Sequence, residues 1–369
     1  MNFVTYIQVL LFLAVAAQKE QVTLLFVGDI SFSGPVKYYV EHNYHSYNDT
    51  FSDVASFIRE ADISVANLES PFVNKDMHRY KVAKAVNLDS SPEAVSALSF
   101  AGFDVVTLAN NHLNDFGSIG VNFTVQVLKE AGIKYFGVSY GNFNSSQEPL
   151  IVEKNGLKIG LLGYCKAALR DGKRNCPRSL FTSGPAIYQD AIATKDVKNL
   201  KAANVDIIVV FMHWGKEVLC EPLPYQLHIT KHLESLGVQV IIGSHPHVIQ
   251  HHCIHGNKVV AYSLGNFLFP PARLLGGNDP LLYGRLGKKP DEAMIQVYEQ
   301  YCLGNKVFGH LNLSRMFQVT ITRNGVKNEV LPLKIAFDPT TKRLHPEPTK
   351  NAKWINVCGK QDKEFHKCH

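Results

Sequence analysis

The chain is written as short, unbroken apolar runs, and each run ends in polar residues of metal-ligand type. Residues 22–27 run into Gly28-Asp29, and residues 62–66 into Asn67-Leu68-Glu69. Residues 104–108 run into Ala109-Asn110-Asn111-His112, and 205–211 into Met212-His213-Trp214-Gly215. Residues 238–242 run into Gly243-Ser244-His245-Pro246-His247. A continuous β-branched run is what a strand buried on both faces requires, because successive side chains enter opposite layers and both must be apolar.

Helical patterns separate these runs. Residues 92–101 follow Ser91, begin with a proline and stop at Gly102; residues 121–131 stop at Gly132. Residues 191–203 follow Asp190, and 225–236 stop at Gly237. Strands alternating with helices imply βαβ units and a layered α/β fold. Asn155-Gly156 and Asn324-Gly325 predict antiparallel hairpins, 150–152 with 158–162 and 317–322 with 326–333, so the sheet is expected to be mixed. The core domain is expected over 22–336, with a Pro-, Gly- and Leu-rich irregular insertion at 270–289 and a polar tail over 337–369.

Composition narrows the class of partner. Hydrophobic residues make up 46% of 369, which excludes a disordered chain and supports a substantial core. Lys and Arg number 38 against 32 Asp and Glu, a mild surplus of +6. With no basic stripe interleaved with aromatics, no nucleic-acid partner is expected; an anionic small molecule or polymer is compatible.

Residues 4–17 are almost wholly apolar, end in the small-x-small pattern Ala14-Val15-Ala16, and read as a signal peptide over 1–17, although 1–8 carry no Lys or Arg. No later stretch approaches the roughly 20 apolar residues of a spanning helix, so a secreted protein is expected. Sequons at Asn48, Asn122, Asn144 and Asn312 accord with glycosylation outside the cytosol. None of the seven cysteines forms C-x-x-C. Up to three disulfides are expected, with Cys165–Cys176 and Cys358–Cys368 as guesses at the pairing.

The polar groups at the run ends carry the functional reading. In α/β sheets the carboxyl ends of the strands are where ligand sites form. Asp29, Glu69, Asn111, His112, His213, His245 and His247 collect there. Carboxylates, amide and imidazoles without thiolates suit Zn, Mn or Fe at a hydrolytic centre. Two cations about 3.5–4 Å apart need a bridging carboxylate, for which Glu69 and Asp29 are the candidates. Asn266, after the apolar run 259–263, is either a turn residue or one that faces substrate or supports a ligand.

These motifs, with Asp115 three residues after His112 and with Tyr262-Ser263-Leu264-Gly265-Asn266-Phe267, resemble the bacterial poly-γ-glutamate capsule biosynthesis protein CapA family over about residues 22–269. That family is similar to the calcineurin-like metallophosphoesterases, so the resemblance implies a four-layer α/β/β/α sandwich binding one or two divalent metals. Asp29 would match the first metal aspartate, and Glu69 would stand at the bridging position. Asn111, His213, His245 and His247 would complete the ligands. His112 would be the general acid that protonates a leaving group, with Asp115 orienting it. Where phosphoesterases place a histidine two residues after the first aspartate, this chain has Ser31, which implies a smaller shell at one metal, or a single metal.

The leading expectation is therefore a metal-dependent hydrolase of an anionic substrate, a phosphoester or a poly-γ-glutamate-like chain. Metal lowers the pKa of a bound water from about 15.7 to about 7, which supplies hydroxide as nucleophile. The alternative is a protein that binds, anchors or exports a polyanion without cleaving it.

Overall fold

The structure is a computed structural model that describes residues 21–84, 86–141, 145–167, 176, 183–269, 312–322 and 325–355. The leader, Asn144, the 270–289 insertion, Cys302, Cys358 and Cys368 lie outside the described residues. The strands in chain order are β1 (Gln21–Ile30), β2 (Ile63–Leu68), β3 (Val105–Thr107), β4 (Lys134–Phe136), β5 (Val138–Ser139), β6 (Leu150–Lys154), β7 (Leu157–Ala167) and β8 (Gly184–Pro185). They continue as β9 (Ile207–Gly215), β10 (Val240–Ser244), β11 (His252–His255), β12 (Lys258–Ala261), β13 (Asn266–Leu268), β14 (Leu313–Thr322), β15 (Gly325–Asp338) and β16 (Arg343–Pro348). The α-helices are α1 (Pro35–Glu41), α2 (Ala55–Arg59), α3 (Val95–Ala101), α4 (Gly117–Glu130), α5 (Asp190–Ala202) and α6 (Pro224–Ser235).

Two large sheets form the centre. One has the order β16-β15-β14-β1-β2-β3-β4, with β13 also on β1; the other has the order β11-β12-β10-β9-β7-β6. The β1-β2-β3-β4 pairs are parallel and the β1-β14-β15-β16 pairs antiparallel. In the second sheet β7, β9, β10 and β12 run parallel, with antiparallel edges at β6 and β11. Both sheets are mixed, and both Asn-Gly hairpins pair antiparallel.

The pleat explains the unbroken apolar runs. Along β1, Val22, Leu24 and Phe26 pack between the sheets against Ile159, Leu161, Val209 and Phe211. Leu25, Val27 and Ile30 enter the opposite layer with Val36, Ile58, Leu98 and Leu128 from α1, α2, α3 and α4. On the far side, Leu162, Tyr164, Val210 and Met212 pack with Ile192, Val197, Ile229 and Leu233 of α5 and α6. Helix, sheet, sheet, helix is the four-layer α/β/β/α sandwich. The helices start and stop close to the sequence signals, and α3 ends at Gly102 with φ 92°. Among the described residues no helix is long and apolar enough to cross a membrane.

Two expectations change. Residues 337–369 are not simply a polar tail: β15 runs to Asp338 and β16 pairs with it antiparallel. Leu344 and His345 are buried, and Arg343 is tied to Asp53 at 2.8 Å. An edge strand buries few residues and tolerates Pro346 and Pro348, so it reads as polar chain. Ile355 then bridges back to Val330. Second, several polar groups lie within the last strand residues rather than beyond them. β1 continues through Asp29 to Ile30, with register irregularities at both neighbours, because β2 and β13 flank it there.

Cys165 and Cys176 form a disulfide, with Cα atoms 6.0 Å apart, and Cys220 is also disulfide-bonded. Of the described sequon asparagines, Asn122 is exposed on α4, while Asn48 and Asn312 are half-buried with Oδ1 shut away from water.

Gly28 sets the approach of β13 to β1. A Cβ there would stand 1.9 Å from the Gly265 carbonyl oxygen, which accepts the Asp29 N–H at 3.1 Å. Gly28→Ala should therefore push the strands apart and lower stability by about 1–3 kcal/mol, the usual cost of overpacking. Urea denaturation measures it; an unchanged midpoint would mean the two backbones are not in that contact.

Candidate metal centre

The parallel strands deliver the expected residues to one edge. Asp29 stands in register with Asn67 across β1 and β2, and with Asn266 across β1 and β13. His213 stands opposite Ser244 across β9 and β10, and opposite Cys165 across β7 and β9. Asn110, Asn111 and His112 follow β3; Glu69 follows β2; His245 and His247 follow β10. The two histidines have φ of 94° and 58°, a left-handed backbone that costs non-glycine residues about 1–3 kcal/mol each and concentrates at functional sites.

Donor atoms converge in two groups. One ligand atom from each of Glu69, His213 and His245 lies within 4.8 Å of the others, and so does one from each of Asp29, Glu69 and His247. Glu69 is common to both groups. In the first, His213 Nε2 stands 2.9 Å from Asn111 Oδ1, 3.1 Å from His245 Nδ1 and 3.7 Å from Glu69 Oε1. Ligands of a tetrahedral zinc ion stand roughly 3.3 Å apart, so these separations fit a cation of that size. In the second, His247 Nδ1 is 3.5 Å from Asp29 Oδ2 and its Nε2 is 3.8 Å from Glu69 Oε1. His247 Nδ1 also meets Asn266 Oδ1 at 2.8 Å, a contact that orients this ring.

The supporting contacts treat the two carboxylates differently. Asn67 Nδ2 donates to Asp29 Oδ1 at 2.7 Å, and the His245 N–H donates to Asp29 Oδ2 at 3.2 Å. Asn110 Nδ2 donates to Asn67 Oδ1 at 3.1 Å, extending the chain. Glu69 has neither oxygen hydrogen-bonded, and both are buried. Burial pushes the Glu69 carboxyl well above its ordinary range, and the Asp29 and Glu217 charges add to this. Asp29 is raised too, chiefly by burial, against the pull of His247 and Asn67. Burial, then neighbouring imidazoles, hold His213 and His245 well below the usual histidine value. Neutral imidazoles around buried, unpartnered carboxylate oxygens make a donor set that a divalent cation satisfies.

His112 stands apart from both groups. Its Nδ1 meets Asp115 Oδ2 at 2.7 Å, and Asp115 is fully buried. Burial lowers the His112 pKa, and the Asp115 charge opposes that. Ser31 is buried and bonded to Ser33 at 2.7 Å through their hydroxyls, and brings no imidazole. Asn67, Asn110 and Lys84 carry no expected role, yet all three contact the site residues. Asn67 and Asn110 sit in the same strand-end motifs as Glu69 and Asn111. Lys84 lies in a stretch without periodicity and donates to Asp115 Oδ1 at 2.6 Å.

The sequence profile of the family described as "Bacterial capsule synthesis protein PGA_cap" matches residues 23–271. The "Capsule biosynthesis protein CapA" of Bacillus anthracis is 32% identical over 255 residues, 68% of this chain and 61% of that protein. The "PGA biosynthesis protein CapA" of Bacillus subtilis (strain 168) is 29% identical over 247 residues, 66% and 62% respectively. The chain thus spans about three fifths of the length of these relatives. Among solved structures, the NAD nucleotidase NadN of Haemophilus influenzae aligns loosely, at 12% identity and TM-score 0.41, over 92% of this chain and 60% of that one.

The shared position of Glu69 predicts its variant. Glu69→Gln should reduce metal content more than any neighbouring polar change, because an amide brings no charge to either donor group. Without metal, the variant should melt at or above the wild-type temperature, since a buried carboxyl with no hydrogen-bond partner, crowded by the Asp29 charge, gives way to a neutral amide. Metal at 100 times its Kd should stabilise the wild type by about 2.7 kcal/mol, and the variant by much less. Elemental analysis and thermal melts with and without metal measure this; equal metal content would remove Glu69 from the site.

Proposed function

The chain belongs to the bacterial capsule synthesis protein family, and on that premise we propose that it is a metal-dependent hydrolase of an anionic substrate, a phosphoester or a polyglutamate-like chain. One observation carries the reading: two groups of donors share Glu69, whose carboxylate oxygens are buried without a hydrogen-bond partner. Asp29, Glu69, Asn111, His213, His245 and His247 would hold one or two divalent ions. A cation so held supplies Lewis acidity and an activated water at neutral pH.

The chain's own residues supply the rest. Asn67 and the His245 N–H fix the Asp29 carboxylate, and Ser244 holds His213 through Nδ1 at 2.9 Å, leaving Nε2 toward the donors. His112 directs Nδ1–H to Asp115, so its Nε2 is the atom that holds a proton and delivers it to the departing oxygen. The Asp115 charge favours the imidazolium that this step needs, against the cost of burial. With His112 and the carboxylates almost closed to solvent, bulk water competes little for that proton. The Cys165–Cys176 bridge supports an oxidising compartment, and intact mass of the secreted protein would test removal of residues 1–17.

A second reading, binding of a polyanion without cleavage, draws on Ser31, which leaves Asp29, Glu69 and His247 with a single imidazole. Metal content, followed by assays on an aryl phosphate, a phosphodiester and polyglutamate with and without chelator, separates the two. Bound metal with no turnover favours binding; turnover abolished by chelator and restored by metal favours hydrolysis.

His112→Ala tests the acid. Metal and fold should be kept while turnover falls by about 10²–10⁴, a general acid's usual contribution. The loss should be greatest for poor leaving groups, because an oxide of low pKa departs unprotonated. Asp115→Asn should give a smaller loss of the same pattern. Rates across a leaving-group series decide it, and equal losses throughout with metal retained would exclude the assignment.

A further inference from the structure

We propose that Lys84 is a positioning residue for His112, the outer member of a Lys84–Asp115–His112 relay; this rests on the reading of His112 as proton donor. The Asp115 carboxylate is fully buried and takes three donors. Lys84 Nζ reaches Oδ1 at 2.6 Å, while His112 Nδ1 and the Leu88 N–H each reach Oδ2 at 2.7 Å. Lys84 Nζ also donates to the Asn111 carbonyl oxygen at 2.8 Å. One ammonium therefore grips the peptide just before His112 and the carboxylate that holds its ring. The Val82 N–H (2.9 Å) and Asn87 Nδ2 (3.3 Å) donate to the Asp115 carbonyl and press the same segment against this wall.

The consequence is a choice of nitrogen. A carboxylate turns about its last side-chain bond unless both oxygens are engaged. With Oδ1 held by Lys84, Oδ2 is turned to His112 and Leu88 and accepts the Nδ1 proton. Lys84 Nζ is only 3.3 Å from His112 Nδ1. If Asp115 turned away, that nitrogen could accept from the ammonium instead, and the ring proton would move to Nε2. The ion pair thus keeps the proton on Nδ1, so that the neutral ring is the Nδ1–H tautomer and Nε2 is the atom that takes up the second proton and delivers it. Lys84 itself touches no reacting atom in this account.

The test reads the tautomer directly and requires no turnover. In the full chain labelled with 15N-histidine, the downfield imino proton of His112 is assigned by its loss in His112→Gln. It is recorded as purified and after chelation, so that a paramagnetic ion does not hide it. The unmodified protein should show the Nδ1–H pattern and a cross-relaxation contact between His112 Hδ1 and the Lys84 ammonium. Absence of that pattern overturns the proposal, whatever any variant does. Lys84→Met should lose the signal or show mixed tautomers while its melting curve stays cooperative. Where an active substrate is in hand, kcat should fall about tenfold with KM little changed. Lys84→Gln, which keeps one donor, serves if Lys84→Met does not fold. An unshifted Nδ1–H signal in a folded Lys84 variant would reduce the lysine to a loop tether and sink the idea. A protein inactive on every substrate that still shows the dependence sinks the hydrolase reading and leaves the role of Lys84 standing.

Discussion

Two carboxylates, Asp29 and Glu69, are taken fully out of water where the carboxyl edges of two sheets meet. Burying an ionised carboxylate costs several kcal/mol unless charge and hydrogen bonds offset it. For Asp29 the offset is built from the chain: an asparagine side chain, the His245 backbone N–H and a nearby imidazole. Glu69 is given imidazoles at 3.7 and 3.8 Å and no hydrogen bond. The fold thus keeps a buried carboxyl without a hydrogen-bond partner at a place where a cation is the natural counterpart.

That cost is tolerable because the surrounding scaffold is stiff. Three apolar layers pack above, between and below the sheets, and the strand ends they fix carry the converging donor residues. Backbones approach closely at two of those ends. A side chain at Gly28 would strike the Gly265 carbonyl, and one at Gly243 would come within 2.0 Å of the Tyr262 carbonyl. The left-handed backbone at His245 and His247 belongs to the same economy: local strain placed where side chains must converge.

The two donor groups are unequal. Glu69, His213 and His245, joined by Asn111, offer two imidazoles, a carboxylate and an amide. Asp29, Glu69 and His247 offer two carboxylates and one imidazole, because position 31 is a serine turned toward Ser33. Nitrogen-rich sets suit zinc and oxygen-rich sets suit harder ions such as manganese. His112 lies outside both groups and is bound instead to Asp115.

The sequence by itself determined the layers and which donor residues collect at one edge of the sheets. Unbroken apolar runs mean strands covered on both faces, because the pleat alternates strictly, and Asn-Gly turns mean antiparallel returns. Asp29, Glu69, Asn111, His213, His245 and His247 were legible because each follows or ends such a run, and parallel strands bring their ends to one edge. What the tertiary structure alone decided was which atoms meet. The grouping around Glu69 depends on where four strands of two sheets, β1, β2, β9 and β10, end relative to one another, which no local pattern carries. Asn67 and Asn110 acquire roles only once β2 lies beside β1 and β3. β16 reads as polar chain because an edge strand needs a neighbour's open backbone more than its own side chains. Lys84 was illegible for the same reason: its partners lie 27 and 31 residues away, and an ion pair leaves no periodicity in the chain that makes it.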